Sequence, residues 1–189
     1  PLASLNPMQL IKPLAEKYPA LQFSLLSMTS EQIIDGVSRN QLDLGICYLQ
    51  HLDERLFKIA RLPQTRMGLL HDKRHFDFSD GTPGWDRLAT LPLGFLTKGM
   101  YYRESIEISF KAKGLTPKSV FESDSTFQII QAVQAGICCA IMPLNNGLEA
   151  RSANLDILPI GDSQVDSQLA LLMRQQEPVS TLAEKCFAE

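Results

Sequence analysis

Hydroxyl-bearing residues stand where strands of this sequence are predicted to end and helices to begin. Thr29-Ser30 follows one predicted strand, Ser123-Asp124-Ser125-Thr126 follows another, and Thr97-Lys98-Gly99 precedes a predicted helix. In a parallel sheet, such positions lie at the carboxyl ends of the strands, where ligands bind. Helix N-termini at that edge offer unpaired N–H groups and partial positive charge. The pattern therefore predicts a site for carboxylates or other oxyanions.

The same residues have a simpler interpretation as helix caps, since Thr29 with Gln32 and Ser125 with Gln128 have the spacing of capping boxes. A serine or threonine N-cap typically contributes ~1 kcal/mol to helix stability, and one residue can both cap a helix and contact a ligand. Two further residues are candidates for the same site. Tyr48 ends a predicted strand and faces either the ligand or the core, and Lys98 would supply a full positive charge unless it is simply solvated.

Residues for catalysis or metal binding are sparse. His51, His71 and His75 have no serine or cysteine arranged beside them as a nucleophile. The sequence contains no phosphate-binding glycine loop, no dinucleotide fingerprint and no H-E-x-x-H motif. The cysteines lack the paired spacing of a zinc site or a disulfide framework, and the adjacent Cys138 and Cys139 are expected to be packing residues. We therefore expect no catalytic residue, no cofactor and no metal ion.

Composition limits the class of protein further. The chain has 189 residues, is 44% hydrophobic and carries a net charge of −3, so it can bury a core but has no basic patch for gripping nucleic acid. No apolar run reaches 18 residues, which predicts no membrane span. The start has neither the signature of a signal peptide nor an initiating methionine. These features favour a cytoplasmic fragment.

Helices and strands are predicted to alternate along the chain, from a first helix capped at Asn6-Pro7 to a late helix that follows Pro143 and ends at Arg151. This alternation indicates the doubly wound parallel sheets of an α/β fold. The predicted strands are 21–26, 42–48, 56–62, 66–71, 92–97, 120–123, 137–142, 155–160 and 168–173. A first series of βαβ units ends near Tyr48 and a second runs from about 66 to 151. Because the last strands have no core of their own, we expect them to cross back to form two lobes with a cleft between them.

Several runs of residues resemble the effector-binding domains of LysR-type transcription regulators. Tyr18-Pro19, followed by Gln41-Leu42-Asp43-Leu44-Gly45-Ile46, is similar to that family's first lobe. Glu122-Ser123, then the run from Ala132 to Pro143, is similar to its second lobe. Asn40 stands where the family usually has glycine, and Met28 replaces a common glycine before Thr29. Asparagine tolerates positive φ, so Asn40 is expected to end its helix in the left-handed conformation, and Gly114 and Gly136 are expected to end the helices before them.

The resemblance implies a fold of two Rossmann-like lobes joined by two crossover strands, as in type 2 periplasmic binding proteins. Lobe I would comprise residues 1–64 and 161–189, without the family's first strand, and lobe II would comprise residues 65–160. The DNA-binding helix-turn-helix would be absent from this chain.

The resemblance also implies a function. The domain would bind a small polar or anionic effector between the lobes at loops matching Thr29, Ser30, Tyr48, Thr97, Lys98, Ser123, Ser125 and Thr126. It would self-associate as a dimer or tetramer and reach promoter DNA only through the missing N-terminal domain. The main alternative is a periplasmic solute-binding protein of a transporter, which shares the architecture; an enzyme on a similar scaffold comes third.

Overall fold

A computed structural model of the protein describes residues 8–49, 52–63, 66–144, 153–161 and 168–188. In chain order the elements are α1 (Met8–Lys17), α2 (Ser30–Ser38), β1 (Gly45–Tyr48), a 3-10 helix (Glu54–Leu56), β2 (Phe57–Arg61), β3 (Met67–Asp72), α3 (Trp85–Thr90), β4 (Pro92–Leu96), α4 (Tyr101–Ala112), β5 (Lys118–Ser123), α5 (Thr126–Gln134), β6 (Cys139–Pro143), β7 (Leu155–Pro159), β8 (Leu169–Arg174) and α6 (Thr181–Ala188). These elements form two compact units. The first contains the described residues up to 63 and from 168 onward, and the second contains those from 66 to 161.

The first unit is built on a three-stranded sheet in the order β1-β8-β2. The central strand β8 is antiparallel to both neighbours. Helix α2 covers the sheet because Ile33 and Val37, one turn apart, both point into the core. Gly45 permits this close packing, since a Cβ at that position would clash with Cγ2 of Ile33.

The second unit is built on a five-stranded sheet in the order β5-β4-β6-β3-β7. Strand β4 is parallel to β5 and β6, whereas β3 is antiparallel to β6 and β7. Helix α5 packs Ile129 and Val133 against the sheet in one buried cluster. Helices α3 and α4 meet through an edge-to-face contact between Trp85 and Phe110, with ring centroids 4.9 Å apart. Because β4 and β5 are parallel, Leu96 and Ser123 end at the same edge of the sheet.

The predicted strand at 21–26 is wrong. Residues 21–29 have no regular secondary structure, and Phe23, Leu25 and Leu26 are exposed. An extended segment becomes a strand only when a neighbour completes its hydrogen-bond ladder. No strand within the described ranges pairs with this segment.

The expectation of wholly parallel sheets is also corrected. The strands of the first unit pair only antiparallel, and the sheet of the second unit is mixed. Apolar runs such as Leu169–Arg174 favour a parallel interpretation because strands covered on both faces are continuously hydrophobic. Such an apolar run has the same composition whether the strand is parallel or antiparallel to its neighbours. Composition alone therefore does not give the direction of the strand.

The predictions of local conformation agree with the structure better than the predictions of strand pairing do. Asn40 adopts the expected left-handed conformation, with φ of 60°, and Gly114 and Gly136 have positive φ just after α4 and α5. The strand predicted to begin at Leu42 is confirmed only from Gly45 onward. The helix predicted between 144 and 151 and the cap predicted at Asn6-Pro7 lie largely or wholly outside the described residues.

Candidate functional site

Thr29 forms a complete capping box at the start of α2. Its Oγ1 accepts a hydrogen bond from the amide of Gln32 at 3.2 Å, and Oε1 of Gln32 accepts one from the amide of Thr29 at 3.0 Å. The S/T-x-x-E/Q spacing predicted this arrangement. Because Oγ1 acts as the acceptor in the cap, the hydroxyl proton of Thr29 remains able to donate to a ligand.

Ser30, the first residue of α2, places a hydroxyl group in a closed environment. Its Oγ is buried and has no hydrogen-bond partner among the described residues. Buried polar atoms are nearly always paired in native structures, so an unpaired hydroxyl at a helix N-terminus needs an explanation. A bound polar group would provide one.

Tyr48, the last residue of β1, is only 3% exposed and pairs in the sheet with Leu169. The structure therefore shows Tyr48 as a buried residue.

In the second unit, the segment between β4 and α4 holds Thr97 and Lys98. The amide of Thr97 donates to the carbonyl oxygen of Ser123 at 3.0 Å, and the carbonyl of Thr97 accepts from the amide of Met100 at 3.4 Å. Gly99 turns the chain with φ of 85°, while Lys98 is exposed. Met100 is the N-cap of α4 but supplies no side-chain hydrogen bond to the helix. The first turn of α4 thus lacks the N-cap acceptor that serine or threonine would provide.

Ser123 is a buried residue of the predicted site, and its hydroxyl both donates and accepts a hydrogen bond. It is 6% exposed, and its Oγ donates to Oε1 of Gln128 at 2.5 Å while accepting from the amide of Ser125 at 3.0 Å. Ser125 caps α5, its Oγ accepting from the amide of Gln128 at 3.5 Å. The predicted capping box at Ser125 is therefore only half formed, because the side chain of Gln128 bonds to Ser123 instead. The structure brings Thr97, Ser123 and Ser125 into one hydrogen-bonded network.

Thr126 lies on the wall of a recess in the second unit, between the sheet and the helices α4 and α5. The empty space is about 330 Å³, including the part that is open to solvent. Its lining is mainly apolar and consists of Gly94, Phe95, Leu96, Tyr102, Arg103, Ile106, Thr126, Ile129, Ala140, Ile141 and Met142. Of the residues predicted from sequence, the recess includes Thr126 alone.

Arg103 is a buried cation beside these loops that sequence reasoning did not single out. It is 5% exposed and forms ion pairs with Glu107 at 2.7 Å and with Glu122 at 3.2 Å. Its guanidinium also donates to the carbonyl oxygen of Leu96 at 3.3 Å and lies 4.0 Å from the centre of the Phe95 ring. The spacing of Arg103 and Glu107 by four residues was visible in the sequence, but such pairs are common on exposed helix faces. The burial of Arg103 was not visible in the sequence.

Two of the three histidines, His71 and His75, lie among the described residues. His71 is buried on β3 with its ring edge-to-face with Phe78, and burial lowers the pKa of His71. Its Nδ1 lacks a partner among the described residues. His75 packs against Gly136, and His51 lies outside the described residues. Nowhere in the described ranges do three histidine, cysteine, aspartate or glutamate side chains gather as a metal site would require.

The thiols of three cysteines are packed into the two units. Burial raises the pKa of Cys47 and of Cys138 to about 11 and that of Cys139 to about 12. A thiol is reactive as its thiolate, so these groups are inert near neutral pH. The expectation that Cys138 and Cys139 are buried residues is confirmed.

None of the described helices is long and apolar enough to span a membrane.

Comparisons with known proteins identify a family for the whole chain. Residues 3–189 match the LysR substrate binding domain family. The fold is similar to that of HinK, a LysR family transcriptional regulator from Pseudomonas aeruginosa, with a TM-score of 0.79 and 18% identity over 99% of this chain and 65% of HinK. The chain thus spans slightly less than two thirds of HinK.

Two further structures share the fold. Full-length CbnR in complex with its target DNA has a TM-score of 0.77 and 17% identity, over 100% of this chain and 64% of CbnR. The effector binding domain of BenM with its effector benzoate has a TM-score of 0.76 and 18% identity, over 99% of this chain and 84% of that domain.

Proposed function

The chain belongs to the LysR substrate binding domain family, and from this we propose that it is the ligand-sensing domain of a bacterial transcription regulator. Its ligand is a small polar or anionic molecule, and its proposed contacts are the hydroxyl-bearing residues at the starts of α2, α4 and α5. The observation that carries the choice of ligand is Ser30, whose buried Oγ has no partner among the described residues at the N-terminus of α2.

Three helix starts supply compatible donors. The hydroxyl of Thr29 accepts within its own capping box, so its proton is available to a ligand oxygen. The first turn of α4 has no side-chain acceptor from its N-cap. Thr126 is the first residue of α5. Free N–H groups and the positive end of the helix dipole favour a carboxylate or another oxyanion at such places.

The apolar recess beside Thr126 adds a second requirement for the ligand. The recess has room for little more than about one water molecule, so only a small apolar group of the guest can contact Phe95, Ile106 or Ile129 there. BenM, which has the same fold, was solved with benzoate, a small carboxylate with an apolar ring. This combination makes small carboxylic acids the first class of compound to test.

The whole protein would act on promoter DNA through a part beyond this chain. CbnR was solved with its target DNA, and this chain corresponds to 64% of CbnR. We propose that the full protein assembles as a dimer or tetramer in the cytoplasm, and that ligand binding biases the arrangement of its subunits. The net charge of −3 agrees with a domain that does not grip DNA itself.

The alternative of a transporter's solute-binding protein is not supported, because the family that matches is that of LysR regulators. A catalytic role has no cluster of acid, base and nucleophile in its favour among the described residues.

Isothermal titration calorimetry with a panel of small carboxylic acids, beginning with benzoate, tests the proposal. We expect at least one acid to bind to this chain with a dissociation constant in the micromolar to millimolar range. For that acid, Thr29→Val and Ser125→Ala are expected to weaken binding about tenfold each, as for the loss of one hydrogen bond to a charged group.

Ser180→Ala is the matched control for Ser125→Ala. Ser180 also caps a helix, its Oγ accepting from the amide of Ala183 at 3.4 Å, but it is not a predicted ligand residue. The control is expected to retain wild-type affinity. Unchanged affinity in both loop variants would contradict the site, and a panel without any binder would contradict the ligand class.

A further inference from the structure

The buried guanidinium of Arg103 lies where the two candidate loops of the second unit begin. Leu96, whose carbonyl oxygen accepts from Nη1 of Arg103 at 3.3 Å, immediately precedes Thr97. Glu122, whose Oε1 lies 3.2 Å from the same nitrogen, immediately precedes Ser123. A single nitrogen atom therefore contacts the residue that comes just before each loop.

The remaining contacts fix the guanidinium itself. Nε of Arg103 donates to Oε1 of Glu107 at 2.7 Å, one turn further along α4. The guanidinium lies 4.0 Å from the centre of the Phe95 ring, and Phe95 is opposite Glu122 in the parallel pair of β4 and β5. The guanidinium is thus hydrogen-bonded to Glu107 on its own helix, stacked on Phe95 of β4 and ion-paired with Glu122 of β5.

Charge balance argues against Arg103 as the partner of an anionic ligand. Two carboxylates already face its guanidinium, and they are less than half exposed, at 42% and 43%. Buried arginines of this kind are costly to leave unpaired, and their fork of donors fixes geometry as much as it supplies charge. These contacts fit a structural role for Arg103, in which its side chain joins α4 to β4 and β5.

We propose that Arg103 is the positioning residue of the effector loops: it fastens α4 to the ends of β4 and β5 so that Thr97 and the Ser123–Ser125 segment present their donors together. The hydrogen bond from the amide of Thr97 to the carbonyl of Ser123, at 3.0 Å, and that from the amide of Ser125 to Oγ of Ser123, at 3.0 Å, depend on this fastening. The inference rests on the proposed function only in naming these segments effector loops.

Amide hydrogen exchange, followed by NMR on this chain without any ligand, tests the proposal directly. In Arg103→Met, the amides of Thr97 and Ser125 are expected to exchange about tenfold faster or more, the scale set by losing a hydrogen bond to a charged group. The reference is the amide of Ile137, bonded to the carbonyl of Ala132 at 3.0 Å at the far end of α5. Its exchange reports any general loss of stability in the same unit.

Arg87→Met is a closely matched control. Arg87 also pairs with a carboxylate, Asp80 at 2.6 Å, donates to a backbone carbonyl, that of Asp77, and lies over a ring, that of Phe78 at 4.6 Å. None of these partners precedes a candidate loop. Exchange at Thr97 and Ser125 is therefore expected to stay at the wild-type rate in this variant.

Two further variants keep the test decisive if Arg103→Met does not fold. Arg103→Lys keeps the charge but not the planar fork, and it is expected to restore only part of the protection. Glu122→Gln removes one ion pair while Glu107 still neutralises the arginine, and it is expected to accelerate exchange at Ser125.

The proposal is overturned if Thr97 and Ser125 accelerate no more than Ile137 in the arginine variants, or if Glu122→Gln leaves both amides at wild-type rates. That failure would leave ligand binding itself untouched. Conversely, a carboxylate panel without a binder would refute the proposed function without altering these exchange rates.

Discussion

The amide of Thr97 donates a hydrogen bond to the carbonyl oxygen of Ser123 at a distance of 3.0 Å. The bond lies just beyond the parallel pairing of Leu96 with Ser123 and extends that ladder into the loops. Two hydroxyl-bearing segments that are 26 positions apart in sequence therefore share one rigid edge of the second unit's sheet.

Ser123 is expected to act mainly through structure rather than through ligand contact. Ser123→Ala removes an acceptor for the amide of Ser125 and a donor to the side chain of Gln128. Each of these hydrogen bonds contributes about 0.5–1.5 kcal/mol, so the free energy of unfolding in urea should fall by roughly 1–3 kcal/mol. Ser119→Ala, at an exposed position of the same strand, serves as the control and should change stability by about 0.5 kcal/mol or less. Equal effects of the two substitutions would contradict this assignment.

Gly136 is expected to tolerate no side chain. Its φ is 73°, and a Cβ would lie 2.5 Å from Cγ of the His75 ring. Gly114 provides a matched comparison, because it has φ of 69° but no atom within 4 Å of the place that a Cβ would occupy. Gly114→Ala should cost about 1–2 kcal/mol for the left-handed backbone alone, and Gly136→Ala should cost more. Thermal and urea unfolding of the two variants would measure the difference, and equal losses would refute the close contact.

Acid sensitivity is expected from Asp72, which is fully buried and ion-paired with Arg74 at 2.8 Å. The hydrogen bond from Arg74 lowers the pKa of Asp72 from 3.8 to about 2. A carboxyl group whose pKa falls on folding stabilises the protein above pH 3.8, and this contribution disappears as the pH drops towards 2. Because the side chain of Arg74 is 55% exposed, solvent screening limits the contribution to about 1–2 kcal/mol.

Asp72→Asn should therefore lower stability at pH 7 and make little difference near pH 2. Asp53→Asn is the control, since Asp53 pairs with Arg55 two residues later in the same geometry but is exposed. Urea unfolding of both variants between pH 7 and pH 2.5 distinguishes them. Equal losses for the buried and the exposed aspartate would contradict the prediction. Burial also lowers the pKa of His71, so a separate loss of stability is expected as the pH falls below 6.5 in every variant.

Thiol reactivity should follow burial. Cys186 is partly exposed, whereas Cys47, Cys138 and Cys139 are buried with raised pKa values. Ellman's reagent at pH 8 should label one thiol rapidly in the native chain and all four after unfolding. Cys186→Ser should remove the rapid phase. Rapid labelling of Cys138 or Cys139 would instead indicate an accessible thiol in the second unit.

Local sequence patterns predicted the local features of this protein well. The three-residue spacing of Thr29 and Gln32 gave the capping box, because both partners lie within one turn. Asn40 and Gly136 marked left-handed positions, because few residue types tolerate positive φ. The positions of most strands followed from their apolar runs, because each run is also a local feature of the sequence.

Features that depend on distant partners were not accessible to the same reasoning. The antiparallel pairing of β8 with β1 joins segments that are more than 120 positions apart, and composition does not reveal strand direction. The segment at 21–26 has the composition of a strand but no pairing neighbour among the described residues. Arg103 connects several elements only because the fold brings Phe95 and Glu122 into contact with its guanidinium. Half of the predicted capping box at Ser125 was lost because Ser123 competes for Gln128.

Amide mapping by NMR, with the carboxylic acid that calorimetry identifies, tests whether the hydroxyl-bearing helix starts bind the ligand. Titration is expected to shift the amide resonances of Ser30 in the first unit and of Thr97 and Thr126 in the second, while that of Ala183 beside the control cap stays unchanged. Shifts confined to residues away from these loops would contradict a ligand bound at the hydroxyl-bearing helix starts.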